Sequence, residues 1–363
     1  VPHLRFSEFH GEWEKCKLGD IAEFSTARIS SVKLDCKNYV STENMLQDFQ
    51  GVVEAKSVPN ETNVISFTCG DILISNIRPY LKKVWKATFD GGCSSDVFVL
   101  QATDTVAKDY LHYAVANDKF INYVMSGAKG VKMPRGDKNQ MRTYQLSLPS
   151  IQEQYKIAKL LTLLDERIAT QSKLIEKLES LIKGIAQHCI RELINGWEYV
   201  RLGNICKIKT GKLDANAQVE NGQYPFFTCA ERPFNIDCYA FDTEALLISG
   251  NGANLGYINY YKGKFNAYQR TYVLDHFSVN IQYVKWALKV LLPQRIAIEK
   301  SSSNTPYIVL STLADLKIPI PNNSKQNHIA DLMMSFERKL STQLVLSDLY
   351  NKQKQYLLRQ MFI

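Results

Sequence analysis

Glu12-Trp13-Glu14-Lys15-Cys16-Lys17-Leu18-Gly19-Asp20-Ile21 returns later in the chain as Gly196-Trp197-Glu198-Tyr199-Val200-Arg201-Leu202-Gly203-Asn204-Ile205, displaced by 184 residues. Three more landmarks recur in the same order. Asp71–Ser75 returns as Ala245–Ser249 and Val97–Leu100 as Thr271–Leu274, both displaced by 174, and Gln145–Pro149 returns as Lys317–Pro321, displaced by 172. Ordered repetition of this kind marks a duplicated chain. The falling displacement makes the second copy about a dozen residues shorter, lost mostly between its first two landmarks. Each copy opens with short β-rich runs punctuated by Gly, Asn, Asp and Pro, followed by helical spacing at Lys108–Met125 and Val279–Leu292. Strands first and helices after predict an α+β domain.

A long apolar periodicity follows each copy. After Pro149, apolar residues fall at Ile157, Leu161, Leu164, Ile168, Ile175, Leu178, Ile182, Ile185 and Cys189, with Gln171 in the gap. The alternating steps of four and three make a heptad seam. It recurs at Ile329, Met333, Phe336, Leu340 and Gln343, then continues through Ser347, Tyr350, Lys354, Leu357 and Met361 with more polar character. Asn195-Gly196 supplies the chemistry that stops the first helix. Helices of about 37 residues, each about 55 Å long, need a partner for an apolar seam. The repeat pairs them most simply with each other, antiparallel about a pseudo-twofold axis. Gln171 and Gln343 then occupy equivalent seam positions, where they either set register or sit at a tolerant rim. The expected fold is α+β: two duplicated mixed α/β domains separated by two long antiparallel coiled-coil helices. The boundaries are domain one at 1–147, the central helix at 148–194, domain two at 195–318 and the distal helix at 319–363.

Composition fits a two-domain globular protein: of 363 residues, 45% are hydrophobic and 11% aromatic. The 44 Lys and Arg against 36 Asp and Glu give a formal charge of +8, which suits a polyanionic partner. No stretch approaches the roughly 20 apolar residues of a membrane span, and no charged-then-apolar leader opens the chain, so a cytoplasmic protein is expected. The eight cysteines form no C-x-x-C pair and the six histidines show no ligand spacing, so neither a metal site nor a disulfide framework is expected.

Catalytic signals are equally absent. Asn304-Thr305-Pro306-Tyr307 resembles the Asn-Pro-Pro-Tyr signature of adenine methyltransferases. The first copy, however, has Lys132-Met133-Pro134-Arg135 in that slot, and no glycine-rich cofactor loop accompanies it, so the slot reads as loop framework. Ser249–Gly256 is glycine-rich but lacks a P-loop ending and leads into strand-like Tyr257–Tyr261, which favours a hairpin connection. No catalytic residue is assigned.

Two related, unequal domains joined by a rod suit a repeating polymer, and DNA repeats on one face every ~34–36 Å. A bipartite, asymmetric DNA site is expected. The alternative is a coiled-coil adaptor joining protein partners. DNA contacts belong to loops that differ between copies: Arg78, Lys82, Lys83, Lys86, Lys129, Lys132 and Arg135 in the first domain, with Lys138 and Arg142 nearby. In the second they are Asn251, Asn254, Gln269, Arg270, Lys300, Ser303 and Asn304. Lysines there contact phosphate, whereas Arg, Asn and Gln suit base edges; the plain alternative is a solvated basic face.

Leu18-Gly19-Asp20-Ile21, Gly70–Ser75, Leu148-Pro149 followed by Gln152-Glu153-Gln154, and the long helix resemble the DNA specificity subunit of type I restriction-modification systems. The second copy repeats the pattern with Leu202-Gly203-Asn204-Ile205, Leu246–Gly256 and Ile320-Pro321 followed by Gln326, although Lys325 stands opposite Glu153. The resemblance implies two target recognition domains, double-stranded DNA as ligand, two methyltransferase (modification) subunits and two restriction/translocase subunits. It places S-adenosylmethionine, ATP and Mg on those partners and none on this chain.

Overall fold

Ile72–Ser75 is buried along its whole length, and its alternate residues serve two different cores. Ile72 and Ile74 face the cluster that holds the helices, while Leu73 faces a second cluster with Phe67 and Trp85. The second copy does the same: Leu246 and Ile248 point one way, Ala245 and Leu247 the other. Side chains that alternate across a strand can satisfy two cores at once, which is why these runs are continuously apolar.

The computed structural model describes residues 2–130, 132–192, 197–300 and 307–362, and the chain falls into two compact units. Unit 1 holds residues 1–172 and 346–363, unit 2 residues 173–345. In unit 1 a four-stranded antiparallel sheet runs Ala22–Phe24, Val97–Ala102, Ile72–Ser75, Val84–Lys86. A second small sheet joins Arg28–Ser30, Asn63–Phe67, Gly91–Cys93 and Tyr39–Val40. In unit 2 one six-stranded sheet runs Lys207–Thr210, Thr271–Asp275, Phe241–Ser249, Ile258–Ala267, Tyr224–Phe227, Phe234–Ile236. Register is the same in both copies: Ile72 faces Leu100 as Leu246 faces Leu274, each displaced by 174. A two-stranded ribbon closes each unit, Glu14–Lys17 with Gln145–Leu148 and Glu198–Arg201 with Lys317–Ile320.

The helical stretch Lys108–Met125, where one or two helices are expected, forms two, Lys108–Val115 and Asp118–Ser126, and the Asn117 side chain caps the second by accepting from Phe120 N–H. The helix expected to stop at Leu292 runs as Ile281–Lys300 straight through Pro293. An interior proline costs about 3 kcal/mol, and burial of Leu292 together with packing of Ile296 on the unit 2 core offsets it.

The two long helices are Ile151–Gln187 and Asn323–Met361, and the first ends in a π-helical turn, His188–Glu192. Asn195-Gly196 lies outside the described residues. In unit 1, Ile157, Leu161 and Leu164 share a core with Leu357, Leu358, Met361 and Phe362. In unit 2, Leu178 and Ile182 share one with Ile329 and Met333. Each unit therefore packs the start of one long helix against the end of the other. Within unit 1 the pairing is antiparallel: Asp165 meets Lys354 at 2.6 Å and Arg167 donates to Tyr350 Oη at 2.7 Å. Two polar seam positions of the distal helix, Tyr350 and Lys354, are thus occupied by paired groups. Ile168 and Phe336, with Leu340, are half-buried against these cores; Ile175 is half-buried outside them, Gln171 is buried in unit 1 and Gln343 half-buried in unit 2.

Glu153 and Lys325 differ for a local reason. Glu153 is buried and accepts Nε and Nη2 of Arg5, both at 2.8 Å, from an N-terminal arm whose Leu4 N–H reaches Gln360 C=O. In the second copy the position 184 residues after Arg5 is Cys189, in the π-helical turn that ends the first long helix, and Lys325 is exposed.

His112, on Lys108–Val115, lies among Asp109, Lys86, Asp165 and Lys354, and its Nδ1 has no hydrogen-bond partner among the described residues. Burial pushes its imidazole down to about 4, against about 6.5 in an unfolded chain. The unfolded chain then takes up the proton first, so unit 1 keeps this stability above about pH 6.5 and loses it as pH falls toward 4. His112→Leu is expected to flatten the unfolding midpoint over that window; a slope equal to the parent's would refute this.

Candidate nucleic-acid interface

In unit 1 the turn after Ile72–Ser75 meets residues 134–136. Arg78 N–H donates to Pro134 C=O at 2.8 Å, and Gly136 N–H to Asn76 C=O at 3.0 Å. Arg135 forms antiparallel bridges to Ile77 and to Lys129. Asn76 N–H donates to Asp96 C=O at 2.8 Å, which ties in the start of Val97–Ala102. Arg78, Lys129, Lys132, Arg135 and Arg142 are exposed around this junction.

Of these, Lys129 lies 3.5 Å from Asp137 and Arg135 3.2 Å from Asp96, and the less exposed basic residues there are also engaged within the unit. Lys82 pairs with Asp118 at 2.8 Å, Lys86 pairs with Asp109, and Lys83 donates to Thr42 C=O at 2.6 Å. Burial, helped by nearby Arg78, lowers the Lys83 amine. Lys138 lies over the rings of Phe98 at 4.7 Å and Phe24 at 5.5 Å, and burial beside Arg142 lowers its amine too. Arg78 and Lys82 both adopt left-handed backbone, at φ 51° and 54°, flanking the short helix Pro79–Leu81. Such strain in a non-glycine residue persists only where the surroundings hold it.

Unit 2 builds the same junction. Phe241–Ser249 and Ile258–Ala267 form an antiparallel hairpin, so the glycine-rich stretch between them is its connection. Gly250 N–H donates to Arg270 C=O at 2.8 Å, and Ile308 N–H to Gly250 C=O at 2.9 Å. These are the Asn76–Asp96 and Gly136–Asn76 bonds again, displaced by 174 and 172. Asn254 donates to Cys229 C=O at 3.1 Å, and the Cys229 thiol to Asn251 Oδ1 at 3.0 Å. Gln269 N–H donates to Leu213 C=O at 2.9 Å, and its side chain reaches Asp214 at 3.5 Å. Asn251, Asn254, Gln269 and Arg270 are therefore brought together, with Gln269 and Arg270 exposed. Ser303 and Asn304 lie outside the described residues, and of Lys300 only the helical backbone is described.

Sequence reasoning missed Leu213, Asp214 and Cys229, which support this junction from distant loops with no local signal. It also passed over Asn76, whose backbone is the hub of the unit 1 junction. The helix behind each junction is docked by one repeated contact. Gln154 accepts Ala107 N–H at 2.9 Å and donates to Pro149 C=O at 3.0 Å; Gln326 accepts Asn280 N–H at 3.0 Å and donates to Pro321 C=O at 2.8 Å. All eight cysteines are free thiols, and no helix among the described residues is long and apolar enough to cross a membrane.

A family model described as the type I restriction modification DNA specificity domain matches residues 10–180 and 194–345. The chain is 44% identical over 135 residues to the type I restriction enzyme EcoDI specificity subunit of Escherichia coli, covering 37% of this chain and 30% of that protein. It is 26% identical over 241 residues to the MjaVIII specificity subunit of Methanocaldococcus jannaschii, covering 57% of this chain and 53% of that one. The match thus spans between about a third and a half of these two relatives. The crystal structure of a type I restriction-modification S subunit from M. genitalium shares the fold, with a TM-score of 0.69 at 17% identity, covering 100% of this chain and 99% of that one.

Proposed function

The chain belongs to the type I restriction modification DNA specificity family, and from that premise we propose that it reads a bipartite, asymmetric DNA site and directs methyltransferase and restriction subunits to it. The observation that carries the reading is the repeated junction. Two units hold the same backbone hydrogen bonds at offsets of 174 and 172 while presenting different side chains on them. A shared framework with unlike surfaces is what reading two different half-sites requires. The recognition domains are 1–147 and 195–318, and the spacer regions 148–194 and 319–363, which contain the long helices, join them. In this reading the chain works in the cytoplasm and does no chemistry itself. Two modification and two restriction subunits carry S-adenosylmethionine, ATP and Mg.

Among candidate contacts, Arg78, Lys129, Lys132 and Arg135 in unit 1 are exposed and outrank the half-buried Lys82, Lys83 and Lys86; Lys129 and Arg135 stay exposed although they pair with Asp137 and Asp96. In unit 2 the strongest candidate is Arg270, exposed at the start of a central strand. Arg270→Ala is expected to weaken binding through one half-site only. Equal loss on specific and random duplex at one salt concentration would show a phosphate contact or a structural role instead.

The test of function is methylation sequencing of DNA from cells expressing this chain with its modification subunit. The expected result is one adenine-methylated motif in two parts with a fixed gap. Methylation that follows no sequence, or none at all, would overturn the reading.

A further inference from the structure

The two junctions differ in one exchange of charge. In unit 1 the strand-start position is Asp96, and the neighbouring loop position is Arg135; Nη1 of Arg135 lies 3.2 Å from Asp96 Oδ1. At the matching positions in unit 2 stand Arg270 and Tyr307, both exposed. At this pair of positions each junction carries one arginine, delivered from the loop in unit 1 and from the strand start in unit 2.

Arg135 is held at both ends. Its N–H and C=O exchange hydrogen bonds with Lys129 at 2.9 and 3.0 Å, and its neighbours Pro134 and Gly136 bond to Arg78 and Asn76. At the other end Asp96 holds one nitrogen of the guanidinium. Half of the Arg135 side chain remains exposed, at 55%, and the rest of its fork of N–H donors stays open. A phosphate contact needs only a positive charge within reach, whereas a base contact needs a guanidinium at a defined place and tilt. An exposed ion pair contributes little stability, so the consequence of the Asp96 contact is orientation.

We propose that Arg135, positioned by Asp96, reads one base of the unit 1 half-site, and that Arg270 reads one base of the other. The base is guanine, whose O6 and N7 accept two parallel N–H bonds from arginine in the major groove. The inference rests on the DNA-reading function proposed above and names the residues that carry its specificity.

The test is selection of bound duplexes from a randomised pool, at one salt concentration, by the full chain with its modification subunit. The parent chain is expected to recover a two-part motif. Arg135→Ala and Arg135→Lys should each reduce discrimination at a single G·C pair of one part by about tenfold or more and leave the other part intact. Asp96→Asn should relax that same pair without moving the unfolding midpoint, and Arg270→Ala should relax one pair in the other part. An Arg135→Ala protein that binds more weakly but selects the parent motif overturns the inference and leaves the DNA-reading function standing. An Asp96→Asn protein that relaxes several pairs or melts earlier makes Asp96 structural and overturns its positioning role. A parent chain that recovers no motif overturns the function itself.

Discussion

Gln154→Leu is expected to destabilise unit 1 by about 2–4 kcal/mol, from two buried backbone groups at about 1–3 kcal/mol each. Gln154 is 1% exposed and connects two groups that no neighbouring strand or helix serves, the Ala107 N–H and the Pro149 C=O. Leucine fills a similar volume but bonds to neither. Urea unfolding of the full chain, read by a probe in unit 1, measures the loss. Gln326→Leu should do the same to unit 2, through Asn280 N–H and Pro321 C=O. The glutamines share no partner, so the two costs should add. A Gln154→Leu midpoint within about 0.5 kcal/mol of the parent would mean that the helix is docked by its apolar contacts alone.

Glu337→Gln is expected to cost unit 2 about 2 kcal/mol at neutral pH, with a pH profile that identifies the cause. Glu337 sits 2.6 Å from Lys285 and 3.0 Å from Lys289. The Lys285 side chain is 8% exposed and that of Glu337 31%, which places the expected loss between that of a surface pair and a buried one. Burial alone would raise the Glu337 carboxyl, but the two lysines outweigh it and hold it below its ordinary value. The parent protein therefore has this stability above the usual carboxylate range and loses it in acid. Burial also lowers the Lys285 amine, and Glu337 opposes that. Without the carboxylate the amine falls further below its unfolded value, so the unfolded chain binds the extra proton and the variant gains stability as pH rises toward 10. The gap between parent and variant should narrow at both extremes. A gap constant from pH 4 to 10 would assign the loss to packing.

These two sites also show how far the sequence could be read. Gln154 and Gln326 stand at the same distance after their prolines, so their equivalence was legible, as was every landmark of the duplication. The offsets of 174 and 172 found by matching letters are the offsets at which backbone hydrogen bonds recur in the two junctions. The ion pair was not legible. Position 337 corresponds to Asp165, which bonds Tyr113 Oη at 2.9 Å and Lys354 at 2.6 Å, so each copy keeps an acid there and changes its partners.

The basic residues divide along the same line. Arg78, Lys82, Lys83 and Lys86 look alike as letters, and only folding reveals that Asp118, Asp109 and the Thr42 carbonyl engage the three lysines. Likewise nothing local links Asp96 to Arg135, 39 residues later.

The amino-acid order alone determined the duplication, the α+β class of each copy, the heptad seams and the hairpin character of the glycine-rich stretch. Periodicity is set by geometry within one element, and repetition needs no neighbours to be seen. Tertiary structure alone decided which end of each long helix enters which core, which charges are paired and which exposed arginine is held by an acid. Those outcomes depend on contacts between residues far apart in the chain, where burial and distance, rather than residue type, fix the strength of each interaction.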